Sequence, residues 1–357
     1  MRILIYIHSL ECGGAERVIS LLANNWEASG HVIKLVTNTP VEKDFYEINK
    51  NIYRDYLKKN SKNKQFVFFE RLINLTKKIR EFKPDLAVTF MTTANLIYIL
   101  SKFLVPKHVH IISERIDPIR QDLSLLKKLV RIFLYIFPSA LVVQTNKIKD
   151  WFSKYTLSRR IRIINNPIKL IEANKNKINN KFTILFVGRL FQRKGINLLI
   201  KSFTECLKEN KDMELVIIGD GPLYKDILKK IKSDDSLINT VKLKGKQKNI
   251  DYFYRNCNLL VIPSEFEGFP NVLLEGLNYN LNVISTRIID DYESFRNIEN
   301  IRFIEVDDLE NLTKSIKYFY NKKTSNRLKS KRLIKKLEKY EIKRISNEWI
   351  KLYEELK

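Results

Sequence analysis

Glycine is the first thing this chain is short of: ten in 357 residues, roughly 3% where an average domain has about 7%. Collagen-like and Gly-rich low-complexity chains are thereby excluded, and the glycines that remain become informative. Cysteine is scarcer still. Cys12, Cys206 and Cys257 are too few and too scattered for a disulfide framework or a zinc site, and are expected as reduced core or loop residues. Long apolar runs are lacking: stretches such as Ile132 to Phe137 and Leu259 to Ile262 fall far below the roughly 18 to 20 residues that span a bilayer. Met1 leads at once into the strand-like Ile3 to Ile7, without the charged start and apolar centre of a secretory signal, so the expected compartment is the cytoplasm. No Asp-x-Asp occurs, which removes the obvious metal clamp for a nucleoside diphosphate; neither a metal nor a cofactor is expected.

What the chain has in excess is positive charge, 65 Lys plus Arg against 40 Asp plus Glu for a net +25. Such a balance attracts polyanions in general: nucleic acid, anionic lipid and phosphorylated small molecules. The excess is spread, with 28 basic and 14 acidic side chains in residues 1–166 alone. There is no CxxC/HxxxH pair, no RNP-like aromatic strand and no basic helix running into heptads, so specific nucleic-acid binding is not expected. A membrane-surface or phosphate-handling role fits the charge better. A noncatalytic polyanion-binding protein is the alternative from another class.

Short β-rich apolar runs alternate with helical patterns from Ile3 to Gln144, the βαβ rhythm of a parallel sheet. Asn165-Asn166-Pro167 and the polar stretch up to Lys181 read as a linker. A second set of strands follows: Phe182 to Val187, Glu214 to Ile218, Val241 to Lys244, Leu259 to Pro263 and Asn282 to Ser285. The expectation is two α/β domains, 1–166 and 167–330, with a basic helical tail over 331–357 that returns across the hinge toward the first. Most glycines fall just after a predicted strand, on the carboxyl edge where open parallel sheets bind ligands.

Three constellations stand on those edges. Gly13-Gly14-Ala15-Glu16-Arg17 follows the first strand and opens a helix, where a tight turn and free N–H groups suit an anion. Neither a dinucleotide fingerprint nor a P-loop is present. Gly188-Arg189-Leu190 with Lys194-Gly195 sets two cations five positions apart after an apolar strand, a pair suited to gripping a pyrophosphate. The run from Glu267 through Gly268, Phe269, Pro270 and Asn271 to Glu275 has one carboxylate in a loop and one inside the following helix. Each carboxylate can accept bonds from two vicinal hydroxyls of a ribose or hexose, and Pro270 suits the first helical position.

Taken with Gly219-Asp220-Gly221-Pro222, these motifs resemble, in order and over nearly the whole chain, the GT-B-fold retaining glycosyltransferases of family 4, glycosyl transferases group 1. The E-x7-E run is the most specific of them. The resemblance implies an α/β chain of two Rossmann-like domains facing each other across a cleft, a nucleotide-sugar held mainly by the second, no metal ion, and transfer with retention. By position it gives Arg189 and Lys194 the diphosphate, Glu275 the ribose and Glu267 the donor sugar, with Gly13 and Gly14 bringing backbone to the donor. The turn at Gly245-Lys246 matches the place of base contacts. Many members carry a His where this sequence has Arg115; Glu114 and Arg115 are therefore the acceptor-side candidates, while His110 sits inside an apolar strand and is expected in the core.

The implied activity is transfer of a hexose or N-acetylhexosamine from a UDP-sugar to a surface-glycan acceptor, such as one linked to polyprenyl diphosphate. A GDP-sugar transferase or another GT-B sugar-nucleotide enzyme is the near alternative. Two segments nominate an anionic membrane as partner: residues 62 to 83, where Lys and Arg interleave with Phe66, Phe68, Phe69 and Leu72, and the helical run Leu123 to Phe137 with Lys127, Lys128 and Arg131. The expected location is peripheral, on the cytoplasmic face of the plasma membrane.

Overall fold

In a computed structural model the described residues are 1–119, 121, 123–156, 160–171, 181–269, 271–287, 295–322 and 330–357. Pro270, most of the expected linker and residues 323–329, which precede the expected tail, lie outside them. The chain divides into two compact units, Met1–Lys169 with Lys339–Lys357, and Leu170–Glu338.

Unit 1 runs β1 (Arg2–Tyr6), α1 (Gly14–Ala28), β2 (Val32–Thr37), β3 (Tyr53–Tyr56), α2 (Lys64–Phe82), β4 (Leu86–Phe90), α3 (Thr92–Lys102), β5 (Val109–Ser113), α4 (Leu125–Leu134), β6 (Ala140–Val143), α5 (Asn146–Tyr155) and β7 (Ile161–Ile163). Its strands stand in the order β3-β2-β1-β4-β5-β6-β7, all parallel. Both faces of the sheet are covered, which is why its central strands read as continuous apolar runs. Alternate residues go to opposite faces: Ile3 and Ile5 join Val18, Leu22 and Trp26 of α1, whereas Leu4 and Tyr6 join Leu75 and Ile79 of α2 and Ile97 of α3. The Asn63 side chain accepts from Gln65 N at 2.9 Å and caps α2.

Unit 2 runs β8 (Phe182–Val187), α6 (Ile196–Leu207), β9 (Met213–Ile218), α7 (Tyr224–Lys232), α8 (Asp235–Ile238), β10 (Val241–Leu243), α9 (Ile250–Asn256), β11 (Leu259–Ile262), α10 (Asn271–Asn278), β12 (Asn282–Thr286), β13 (Ile301–Ile304), α11 (Leu309–Lys322) and α12 (Lys331–Glu338). Its parallel sheet has the order β10-β9-β8-β11-β12-β13. In each sheet the strand order reverses once, between β1 and β4 and between β8 and β11, and open α/β sheets bind ligands at such crossovers.

The last helix, α13 (Ile342–Leu356), belongs to unit 1. Ile345, Trp349 and Leu352 share a core with α1 and β1, and Trp349 stacks on Phe90 at 5.8 Å and meets the edge of Trp26 at 6.3 Å. Ile168 N donates to Tyr340 O, and Ile342 N to Ile168 O, a short backbone ladder that ties the tail down. The basic tail is thus not one helix: it breaks around Lys339–Glu341, and α12 stays with unit 2. Among the described residues no helix is long and apolar enough to cross a membrane.

Candidate functional site

The ends of β8, β9, β10 and β11 lie side by side at the crossover of unit 2, and every motif of that unit named from the sequence sits on them. Gly188 N donates to Ile218 O at 3.0 Å and Gly219 N to Gly245 O at 2.9 Å, so the three loops after β8, β9 and β10 are joined by backbone bonds. Gly219 has φ +138°, and a Cβ there would lie 1.8 Å from Gly188 O; only glycine allows the two loops to meet. Lys246 is exposed and 3.6 Å from Asp220, an ion pair at the outer end of this row.

Arg189 projects from the end of β8 into solvent, and its guanidinium has no hydrogen-bond or ion-pair partner among the described residues. Lys194, at the end of a 3₁₀ turn over Gln192–Lys194, is engaged: Nζ donates to Glu267 Oε1 at 2.5 Å, with both side chains about one-fifth exposed. Ser264 Oγ donates to the same Oε1 at 2.8 Å, and Thr286 Oγ1 donates to Ser264 O at 2.6 Å, so the loop after β11 is braced from β12. Both bonds to Glu267 converge on Oε1, which leaves Oε2 as the oxygen open to a ligand hydroxyl. Gly268, Phe269 and Asn271 are half-buried beside it. Glu275 is buried within α10 and accepts from Tyr254 OH at 2.7 Å, and Tyr254 itself stacks on Tyr279.

In unit 1 the Gly13-Gly14 turn ends the loop after β1 and starts α1; Tyr46 OH donates to Gly13 O at 2.9 Å and accepts from Gly13 N at 3.3 Å. The acceptor-side candidates are both buried. Glu114 is fully buried, and its Oε1 accepts from Thr92 Oγ1 at 2.8 Å, Asn95 Nδ2 at 3.3 Å and Tyr135 OH. Arg115 is 8% exposed; its guanidinium lies over the Phe90 ring at 4.4 Å and donates through Nη1 to Asn166 Oδ1. Both side chains are buried at the carboxyl edge of β5, where Glu114 Oε2 and Arg115 Nε and Nη2 have no hydrogen-bond partner among the described residues. His110 is in the core, against Tyr98 at 4.3 Å with Nε2 3.1 Å from Thr89 Oγ1.

Burial lifts the Glu114 carboxyl above its usual range, against the opposing pull of the Tyr135 and Thr92 bonds. The native state therefore keeps a proton that the unfolded chain gives up, and unfolding releases it. Native stability then falls as pH rises from 4.5, the ordinary value, through the raised one. Glu114→Gln lacks this slope, so urea titrations across that interval should show wild type losing stability relative to the variant as pH increases.

Two family models match the chain: "Glycosyl transferases group 1" over residues 168–340 and "Glycosyltransferase Family 4" over 12–171. The chain belongs to the group 1 glycosyltransferases, with the GT-B fold. A Campylobacter jejuni relative, the GalNAc-alpha-(1->4)-GalNAc-alpha-(1->3)-diNAcBac-PP-undecaprenol alpha-1,4-N-acetyl-D-galactosaminyltransferase, is 25% identical over 100% of this chain and 99% of its own. An uncharacterized glycosyltransferase of Methanocaldococcus jannaschii is 31% identical over 62% of this chain and 60% of its own. Among solved structures, Anabaena HepE in complex with UDP superposes with a TM-score of 0.77 at 16% identity, covering 98% of this chain and 99% of HepE.

In this glycosyltransferase the sequence named both partners of the Lys194–Glu267 pair but not Ser264, Thr286 or Tyr254, which orient the two carboxylates. Ser264 lies three residues before Glu267 in the same loop, whereas no periodicity or motif marks Thr286 or Tyr254, which the fold brings in from β12 and α9. One further constraint holds Lys194. Gly195 has φ +67°, and a Cβ there would lie 1.9 Å from Pro263 O, a backbone atom. Gly195→Ala is expected to cost unit 2 about 3 kcal/mol through left-handed strain and the forced separation of the loops. Hydrogen exchange at the amides of β8 and β11 should quicken while that of β1 and β4 stays as in wild type.

Proposed function

We propose that the chain is a retaining, metal-independent transferase that moves a hexose or N-acetylhexosamine from a UDP-sugar to a surface-glycan acceptor linked to polyprenyl diphosphate, on the cytoplasmic face of the membrane. The observation that carries this is that the crossover of unit 2 holds both the Arg189 guanidinium at the end of β8, without a partner among the described residues, and the Lys194–Glu267 pair. Arg189 offers a planar fork to the diphosphate, and Lys194 a point charge shared with Glu267. The open Oε2 of Glu267 takes hydroxyls of the donor sugar, and Glu275, oriented by Tyr254, takes the ribose. Gly188, Gly268, Phe269 and Asn271 supply surrounding backbone, Pro270 completes that run in the sequence, and Lys246 stands where the base is expected. The undecaprenol-linked substrate named for the Campylobacter relative and the UDP in the HepE complex support the choice of acceptor and donor.

In the step proposed, the bond between sugar C1 and the diphosphate oxygen breaks as positive charge grows at C1. The acceptor oxygen bonds to C1 on the same face, and its proton passes to the departing phosphate oxygen. Arg189 and Lys194 stabilise the charge that develops on the leaving group. Calorimetric titration with UDP, GDP and a DNA duplex, in EDTA, tests the reading against an Arg189→Ala, Lys194→Ala double variant. UDP binding that disappears in the variant is the expected result. GDP binding alone would overturn the base, and binding of DNA alone, with a steep salt dependence and no effect of the substitutions, would overturn the donor site.

A further inference from the structure

Helix α4 is inverted relative to an ordinary surface helix. At about 100° per residue, Leu125, Leu126, Leu129, Val130 and Phe133 fall within roughly 140° of one another, and all five are exposed, Leu125 and Leu126 by more than 70%. The opposite side carries Arg131 and Leu134, and these are the buried ones. Arg131 is fully enclosed: Nη1 donates to Gln121 Oε1 at 2.7 Å, and the guanidinium lies 5.1 Å from the Trp151 ring and 5.4 Å from Phe152. The helix is thus fastened to unit 1 by its arginine and turns its leucines outward.

The apolar surface continues beyond α4. Phe103 and Leu104, just past α3, are exposed, and Phe137 meets both Phe103 at 4.8 Å and Phe133 at 6.0 Å. Contiguous exposed patches of this kind mark interaction sites. The segments that carry it are basic: residues 96–113 and 123–149 hold no Asp or Glu but include Lys102, Lys107, Lys127, Lys128 and Lys149, while Lys147 is paired with Asp117 at 3.7 Å. The other segment nominated from the sequence differs. On α2 only Phe66, Phe69 and Ile73 stand out, a narrow stripe interrupted by Glu70.

We propose that α4, with Phe103, Leu104 and Phe137, is the surface by which unit 1 inserts into an anionic bilayer, its apolar face entering the acyl boundary and its lysines meeting the headgroups. The inference rests on the membrane reading above and assigns it to one element. Through Gln121, which donates to Thr92 Oγ1, and Thr92, which donates to Glu114, the buried side of the docked helix is joined to the end of β5.

Cosedimentation of the full chain with vesicles of phosphatidylcholine, with and without phosphatidylglycerol, tests it, with thermal unfolding by circular dichroism as the control for folding. Wild type should bind the anionic vesicles, and Leu129→Glu with Phe133→Glu should reduce the bound fraction about tenfold or more. Phe69→Glu with Ile73→Glu on α2 should bind as wild type does. Phe133→Trp should be quenched by lipids brominated in the acyl chain. Wild-type binding by a folded α4 variant would overturn this inference and leave the membrane reading standing. Failure of wild type to bind at all would overturn both. A wild-type dimer that the α4 changes convert to monomer, with vesicle binding unchanged, would make the patch an interface between copies and overturn the proposal.

Discussion

Arg189→Ala should lower kcat about a hundredfold or more, because removing one preorganised stabiliser of developing charge costs on the order of 3 kcal/mol. The size of the effect follows from how the two cations differ. Lys194 already spends part of its field on Glu267 at 2.5 Å, whereas the guanidinium of Arg189 has no partner among the described residues and is wholly available to a leaving group. Arg189→Lys should recover only part of the loss, since a point charge does not reproduce a planar fork. Single-turnover measurements with the donor in excess separate the chemical step from binding. Near-native kcat in Arg189→Ala would move the diphosphate away from the end of β8.

Trp349→Ala should destabilise unit 1 by about 3 to 5 kcal/mol, the usual cost of emptying a large aromatic site in a packed core. Trp349 is fully buried, with Phe90 stacked on one face and the edge of Trp26 against it. The Arg115 guanidinium lies 5.8 Å from its ring, so the vacancy would also loosen the end of β5. Trp26 and Trp151 remain as fluorescent reporters, both in unit 1, and urea unfolding followed through them reads the loss directly. Hydrogen exchange in β8 and β9 should not change. A shift below about 1 kcal/mol would mean that α13 adds little to this core.

How far the sequence carried the fold depended on burial. The central strands β1, β8 and β11 are enclosed on both faces, and their apolar runs announced them to within a residue or so. The edge strands β3 and β13 went unread. Tyr53-Arg54-Asp55-Tyr56 has no apolar alternation, since Arg54 is paired with Asp44 at 2.7 Å and Asp55 with Lys78 at 2.5 Å; Ile301-Arg302-Phe303-Ile304 covers its arginine with the Tyr318 ring at 4.2 Å. The same limit applied to the site. Glycines, cations and carboxylates at strand ends were legible as types, but the bond between Lys194 and Glu267 spans 73 residues, and no local pattern encodes it. That Glu114 and Arg115 are buried was not legible either, because a polar pair after a strand looks the same in sequence whether it is exposed or enclosed.

The discontinuity of unit 1 has a consequence for biosynthesis. Its core includes Ile345, Trp349 and Leu352, which emerge from the ribosome only after all of Leu170–Glu338. Domains usually fold as units in the order of their synthesis; here the unit begun first is finished last. Its first 169 residues wait, with Trp26 and Phe90 lacking the contacts of α13, while the second unit is made. A nascent chain stalled near residue 340 is therefore the species in which chaperone capture of the first unit should be greatest.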